Sequence, residues 1–172
     1  MNQKYKEILK YFPPDLRGIL ERAMNESGDN LQEIRVRCGR PLILETSKGG
    51  FAVSTQGTLS PAMGGAYIIS ENDVKMIFQA VCENSVYAYM DEIRQGFITI
   101  KGGHRVGFTG RALTDGEKIE NFRDISSINI RIARQVVGAA NYIMDSILKP
   151  DGRVCNTLVV SPPMVVLMVR RS

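Results

Sequence analysis

Four arginines on β-patterned segments are the residues best suited to chemistry in this 172-residue chain. Arg105 and Arg111 lie in the glycine-rich stretch GGHRVGFTGR at 102–111, and Arg131 and Arg134 close the alternating stretch SSINIRIAR at 126–134. A planar guanidinium grips a phosphate through parallel hydrogen bonds and offsets charge that grows during phosphoryl transfer. The same side chains also suit the solvated face of a strand, so residue type alone leaves both readings open.

Other chemistries find less support. His104 is the sole histidine, so no cluster of His ligands can form, and no partner spacing recommends it as a catalytic base. Cys38, Cys82 and Cys155 are an odd number without a C-x-x-C spacing. They read as buried free thiols in a reducing compartment, not as a disulfide framework or a zinc site. Tyr87 and Tyr89 read as packed helix residues, since no basic run interleaves with them as in a single-strand nucleic-acid binder. The glycines at 102–110 do not follow G-x-G-x-x-G, and they precede a strand, which disfavours a dinucleotide fingerprint. Near the end, NTLVVSPP at 156–163 has the form of a buried strand leading into a phosphate-binding loop, with Ser161, Pro162 and Pro163 as its lead-in. Residues 164–172 (MVVLMVRRS) then contain neither Gly nor Lys, so the loop itself is missing from the sequence.

Several elements must position these groups. A short amphipathic helix near residues 5–12 stops at Pro13-Pro14, and Pro14 opens a second helix with Leu16, Ile19, Leu20 and Met24 inward. The period then changes to two. EIRVR at 33–37 alternates and reads as an amphipathic edge strand, followed by strands near 42–45 and 51–53 in a meander. A short strand is expected at 67–69. Ser70 three residues before Asp73 forms a weaker capping box for a helix with Val74, Ile77, Phe78 and Val81 inward. A further helix near 86–94 ends at Gly96. Strands are expected at 97–100, 104–113, near Ile119 and at 127–133, with a hairpin signal at Asp115-Gly116. A last helix near 139–148 leads to the strand 157–161. The order predicts an α+β fold whose final helix and strand open an α/β domain.

Composition narrows the class. With 44% hydrophobic and 23% charged residues, the chain can build cores of ordinary globular kind. A net charge of +4 is too small to argue for nucleic acid by itself. No signal peptide is evident at the start, and no apolar run approaches a spanning helix, which reads as a cytoplasmic chain with at most peripheral membrane association.

Taken in order and spacing, several segments resemble the stage III sporulation protein AA family over roughly residues 5–163. They are YFPP at 11–14, EIRVRCGRPLIL at 33–44, SVYAY at 85–89, EIRQGFITI at 92–100, the glycine-rich stretch 102–110, ISSINIR at 125–131 and NTLVVSPP at 156–163. More distantly the layout is similar to hexameric secretion and pilus-retraction ATPases. That resemblance implies a helical segment at 1–30, a PAS-like secretion-ATPase N-terminal domain at 31–136, the start of a RecA-like motor domain at 137–163, and an unrelated or truncated tail at 164–172. It also implies a homo-oligomeric, hexameric ATPase that uses ATP and Mg, works on the mother-cell side of the channel to the forespore and meets channel membrane proteins. The modest charge and the lack of an aromatic platform lead to the expectation of no nucleic-acid partner. Arg111 and Arg131 take the role of arginines that sense the nucleotide of the motor domain, with Arg105 and Arg134 behind them. For these residues alone no cofactor and no hydrolysis are expected. The rival expectation is a non-catalytic adaptor that docks on a membrane secretion complex.

Overall fold

The computed structural model describes residues 3–115, 118–133, 138, 141–149 and 151–157. The chain divides into two compact units, residues 1–133 and 134–172.

Helices α1 (Gln3–Leu9) and α2 (Pro14–Ser27) open the first unit. Pro14 stands in the first turn of α2, where its missing N–H costs nothing. Seven strands follow: β1 (Leu31–Arg37), β2 (Ile43–Thr46), β3 (Gly49–Val53), β4 (Leu59–Ser60), β5 (Phe97–Ile100), β6 (His104–Asp115) and β7 (Lys118–Arg131). Between β4 and β5 lie α3 (Glu71–Val81) and α4 (Met90–Gln95). The strands form one antiparallel sheet in the order β4-β3-β2-β1-β7-β6-β5. Two meanders are thus joined where β1 pairs with β7. The α+β class expected from the sequence is the class observed.

One face of the sheet is apolar. Ile34 and Val36 on β1, Leu44 on β2, Ile98 on β5, Val106 and Phe108 on β6, and Ile128 and Ile130 on β7 share a single core with Ile8, Phe12, Leu16, Leu20, Val74, Ile77 and Ile93 of the helices. All are at most 6% exposed, and burying each such side chain contributes about 1.5–3 kcal/mol before chain entropy is counted. Ser70 caps α3 reciprocally: its hydroxyl accepts from Asp73 N–H while the Asp73 carboxylate accepts from the Ser70 N–H. Gly96 adopts φ 82 and closes α4 as a left-handed C-terminal residue.

Several local expectations are corrected. β1 is the middle strand of seven, not an edge. Residues 67–69 form no strand and make a single isolated bridge, Pro41 to Ile68. The region expected as a short strand near Ile119 and another at 127–133 is one 14-residue strand. The helix expected at 86–94 begins as a 3-10 turn at Val86–Tyr89, and Tyr87 stands 88% exposed while Tyr89 packs on the core. Cys82 is fully buried, but Cys38 is exposed, because β1 has ended and the chain is turning there.

β6 and β7 outrun their neighbours. β5 pairs with β6 only as far as Gly107, and β1 pairs with β7 only as far as Ser127. Beyond, from Arg111↔Arg123 to Asp115↔Lys118, the two strands pair with each other alone among the described residues. This arm starts at an irregularity where Asp124 takes φ 49, a left-handed conformation that Asp tolerates better than most residues.

In the second unit, α5 (Asn141–Ile147) runs into a turn closed by a Leu148–Val154 bridge. Arg153 holds Asp151 there at 2.6 Å, and that contact keeps the Asp151 carboxyl below its usual range. The strand expected at 157–161 falls, from residue 158 on, outside the described residues.

Candidate functional site

The polar face of the sheet gathers charge because alternation puts every second side chain of β1, β6 and β7 there. Register orders it into rows. Thr99, Arg105, Arg131, Glu33 and Glu45 follow one another across β5, β6, β7, β1 and β2. One row further lie Phe97, Gly107, Asn129, Arg35 and Ile43 on the same strands. Neighbouring strands lie only about 4.8 Å apart, so side chains within a row are in reach of each other.

Arg35 is the fixed cation of this face. Its Nε donates to Glu33 at 2.8 Å and its Nη1 meets Glu45 at 2.7 Å. The hydrogen bond to Glu33 is the main reason the guanidinium is held above its usual range, with the Glu45 and Glu33 charges adding to it. The clamp also explains how Glu33 and Glu45 tolerate facing each other across β1 and β2, where like charges repel.

Arg105 and Arg131 have no such clamp. They are opposed in register on adjacent strands, an arrangement that like charges disfavour. Arg131 is 74% exposed and reaches Glu33 only at 4.0 Å. Arg105, also exposed, lies over the Phe97 ring with its guanidinium carbon 5.5 Å from the ring centroid, a cation–π contact. Two exposed guanidinium groups side by side, weakly compensated, are a ready grip for an anion with several oxygens.

Arg111 stands apart. It is six residues along β6 from Arg105, about 20 Å in an extended strand, and sits on the arm opposite Arg123. Its side chain is 77% exposed and meets Asp124 at 4.0 Å. The structure therefore brings Arg105 and Arg131 together and leaves Arg111 elsewhere. Arg134, Ser161, Pro162 and Pro163 lie outside the described residues.

His104 is structural. It is 1% exposed, and its Nδ1 accepts a hydrogen bond of 2.9 Å from the Ala133 N–H, tying the start of β6 to the end of β7. Gly102, at φ 91, is needed there, because a Cβ would come within 2.8 Å of the imidazole.

Three residues of this face were not singled out by their sequence as site candidates: Glu33, Arg35 and Asn129. The alternation of 33–37 and 127–133 signals which face they share, but only the β1–β7 pairing signals that they meet. Asn129 has a further property. Its Oδ1 is shielded from solvent and finds no donor among the described residues.

Among the described residues no helix is long and apolar enough to cross a membrane. Comparison with known proteins places this architecture in context. The family model described as "Sporulation stage III, protein AA" matches residues 2–169, and so runs past Pro163 into the segment 164–172. A protein named stage III sporulation protein AA from Bacillus subtilis (strain 168) is 31% identical over 157 residues, which covers 91% of this chain and 47% of that relative. The chain spans about half the length of the curated relative it matches.

Proposed function

The chain belongs to the stage III sporulation protein AA family, and from that premise we propose that it serves sporulation as the nucleotide-sensing front module of a secretion-type ATPase. Family membership supports the sporulation role. The ATPase reading goes further, and it rests on one observation: Arg105 and Arg131 stand exposed and opposed in register on a rigid sheet, without the clamp that holds Arg35.

In this reading a motor module of a hexameric assembly carries ATP and Mg; the 172 residues themselves contain no G-x-x-x-x-G-K-[ST] loop. The polar sheet face meets the outer phosphates of that nucleotide. Arg105 and Arg131 neutralise charge there, and their loss of contact after hydrolysis loosens the two modules, a rigid-body switch read out through the sheet. Glu33 keeps Arg131 within reach of the face when no anion is bound. Arg111 acts from a separate place and contributes through the arm. The working position is the mother-cell side of the forespore channel, with channel membrane proteins as partners and peripheral membrane contact.

A chimera tests the role in the cell. The matched part of the Bacillus subtilis relative is replaced by this chain, and heat-resistant spores are counted. The chimera restores sporulation, and Arg105→Ala with Arg131→Ala lowers spore counts at least ~10-fold at equal protein level, as loss of charge stabilisation at a transferring phosphate demands. Undiminished counts with the double variant contradict the nucleotide reading and favour a non-catalytic adaptor.

A further inference from the structure

Gly107 has no structural reason to be glycine. It lies within β6 without a left-handed φ of its own, and a Cβ built on it would find its nearest neighbour, the Gly96 carbonyl oxygen, at 3.8 Å, an ordinary contact. A strand-interior glycine weakens a sheet, and where neither turn nor crowding requires it, it marks a place where something else approaches the backbone closely. Its cross-strand neighbours are Phe97 on β5 and Asn129 on β7, and Arg105 and Thr109 flank it along β6. The missing side chain thus leaves a notch in the polar face beside Arg105 and the Phe97 ring it covers.

Asn129 supplies the second, independent observation. Its orphaned Oδ1 is an acceptor taken out of water without a donor, a cost in the free protein that a ligand can relieve. Two arginines neighbour it on the same face, Arg35 across β1 and Arg131 two residues along β7. Arg35 is locked between two carboxylates, whereas Arg131, next on β7, is held by one contact at 4.0 Å and can swing toward an anion.

We propose that the notch at Gly107 and Asn129 is a subsite for the non-phosphate part of a nucleotide, with Asn129 Oδ1 accepting from a sugar hydroxyl or a base amine. This rests on the reading that nucleotide phosphates meet Arg105 and Arg131. The spacing suits it: Arg105 to Gly107, and Arg131 to Asn129, are each two residues, about 7 Å of strand. A ligand with its anion at one row and a donor at the next spans both. A bare polyphosphate fills only the first.

The experiment titrates the 15N-labelled full chain with MgATP at millimolar concentration and, separately, with tripolyphosphate, following the Gly107 amide, the Asn129 side-chain amide and the arginine Nε–H signals. ATP shifts all of them, while tripolyphosphate shifts only Arg105 and Arg131. Gly107→Ala, which the backbone accommodates, fills the notch and weakens ATP roughly five-fold, as expected when the ligand is pushed off its hydrogen bond to Asn129, and leaves tripolyphosphate binding unchanged. If both ligands give the same shifts and Gly107→Ala weakens neither, the subsite is wrong and the phosphate reading stands. If neither ligand shifts Arg105 or Arg131, the subsite is wrong, while the nucleotide reading, in which a second module holds the ATP, is decided by the chimera.

Discussion

Arg131 and Arg111 carry the same side chain at nearly the same exposure, 74% and 77%, and each meets a carboxylate only at 4.0 Å, yet they stand on unlike supports. Arg131 ends a strand paired on both sides and backed by the helical core. Arg111 stands on an arm of two strands that lean only on each other among the described residues. A two-stranded ribbon is marginal by itself in water, whereas a strand inside a packed sheet is fixed to within a rotamer. Chemistry at a phosphate demands fixed placement, since a displacement of about 1 Å can cost about 100-fold in rate. Under the proposed nucleotide-sensing role, the sheet would do the precise work and the arm would make the adaptable contact.

The largest effect expected from this contrast is in stability. Ile130→Ala, at a fully buried position of β7, costs about 2–5 kcal/mol in urea unfolding, while Leu113→Ala, 38% exposed on the arm, costs less than about 1 kcal/mol. Equal costs would mean that the arm is part of the core and that the comparison fails.

A second effect separates them by pH. Burial in the core at the end of α3 pushes the Cys82 thiol from about 9.0 up to about 11. The folded state thus keeps the proton that the unfolded chain releases first, so this stabilisation is complete below about pH 9 and is lost as pH rises toward about 11. Between those limits the body loses up to roughly 1.4 kcal/mol per pH unit relative to a Cys82→Ala chain, measured by urea unfolding across the range. Parallel pH profiles in the two chains would remove Cys82 as the cause.

Arg35→Ala comes next. It removes both contacts of the clamp and leaves Glu33 facing Glu45, at a cost of about 1 kcal/mol given the partial exposure of the pair. Arg111→Ala, with its single long contact, changes unfolding by less than about 0.5 kcal/mol. The smallest effect tests the base of the arm. Asp124→Gly relieves a left-handed backbone and stabilises by a few tenths of a kcal/mol, or about 1 kcal/mol at most. Destabilisation instead would show that the Asp124 side chain holds the arm.

What the sequence made legible was local. Pro14 at the head of α2, the Ser70–Asp73 capping box and Gly96 at the end of α4 each act within a few residues, so their signals lie in adjacent letters. Pairing is not local. The alternation at 33–37 is the same for an edge strand and a central one, and only its partnership with β7, nearly a hundred residues later, puts β1 in the middle. The single long β7 was obscured because the irregularity at Asp124 interrupts its period. Of the arginines named from the sequence, the juxtaposition of Arg105 with Arg131 and the separation of Arg111 both depend on register, which residue type does not encode. Glu33, Arg35 and Asn129 entered the site for the same reason. The Tyr87 pattern misled because a 3-10 turn rotates its residues differently from an α-helix, and that side chain faces water.

The central claim is that sheet-borne arginines act on a nucleotide held by a second module. ATP hydrolysis by the purified chimera with the Bacillus subtilis relative measures this directly. The account predicts that Arg131→Ala lowers turnover at least ~10-fold and that Arg111→Ala lowers it no more than about two-fold. Turnover untouched by Arg131→Ala, or lost equally in both variants, contradicts it.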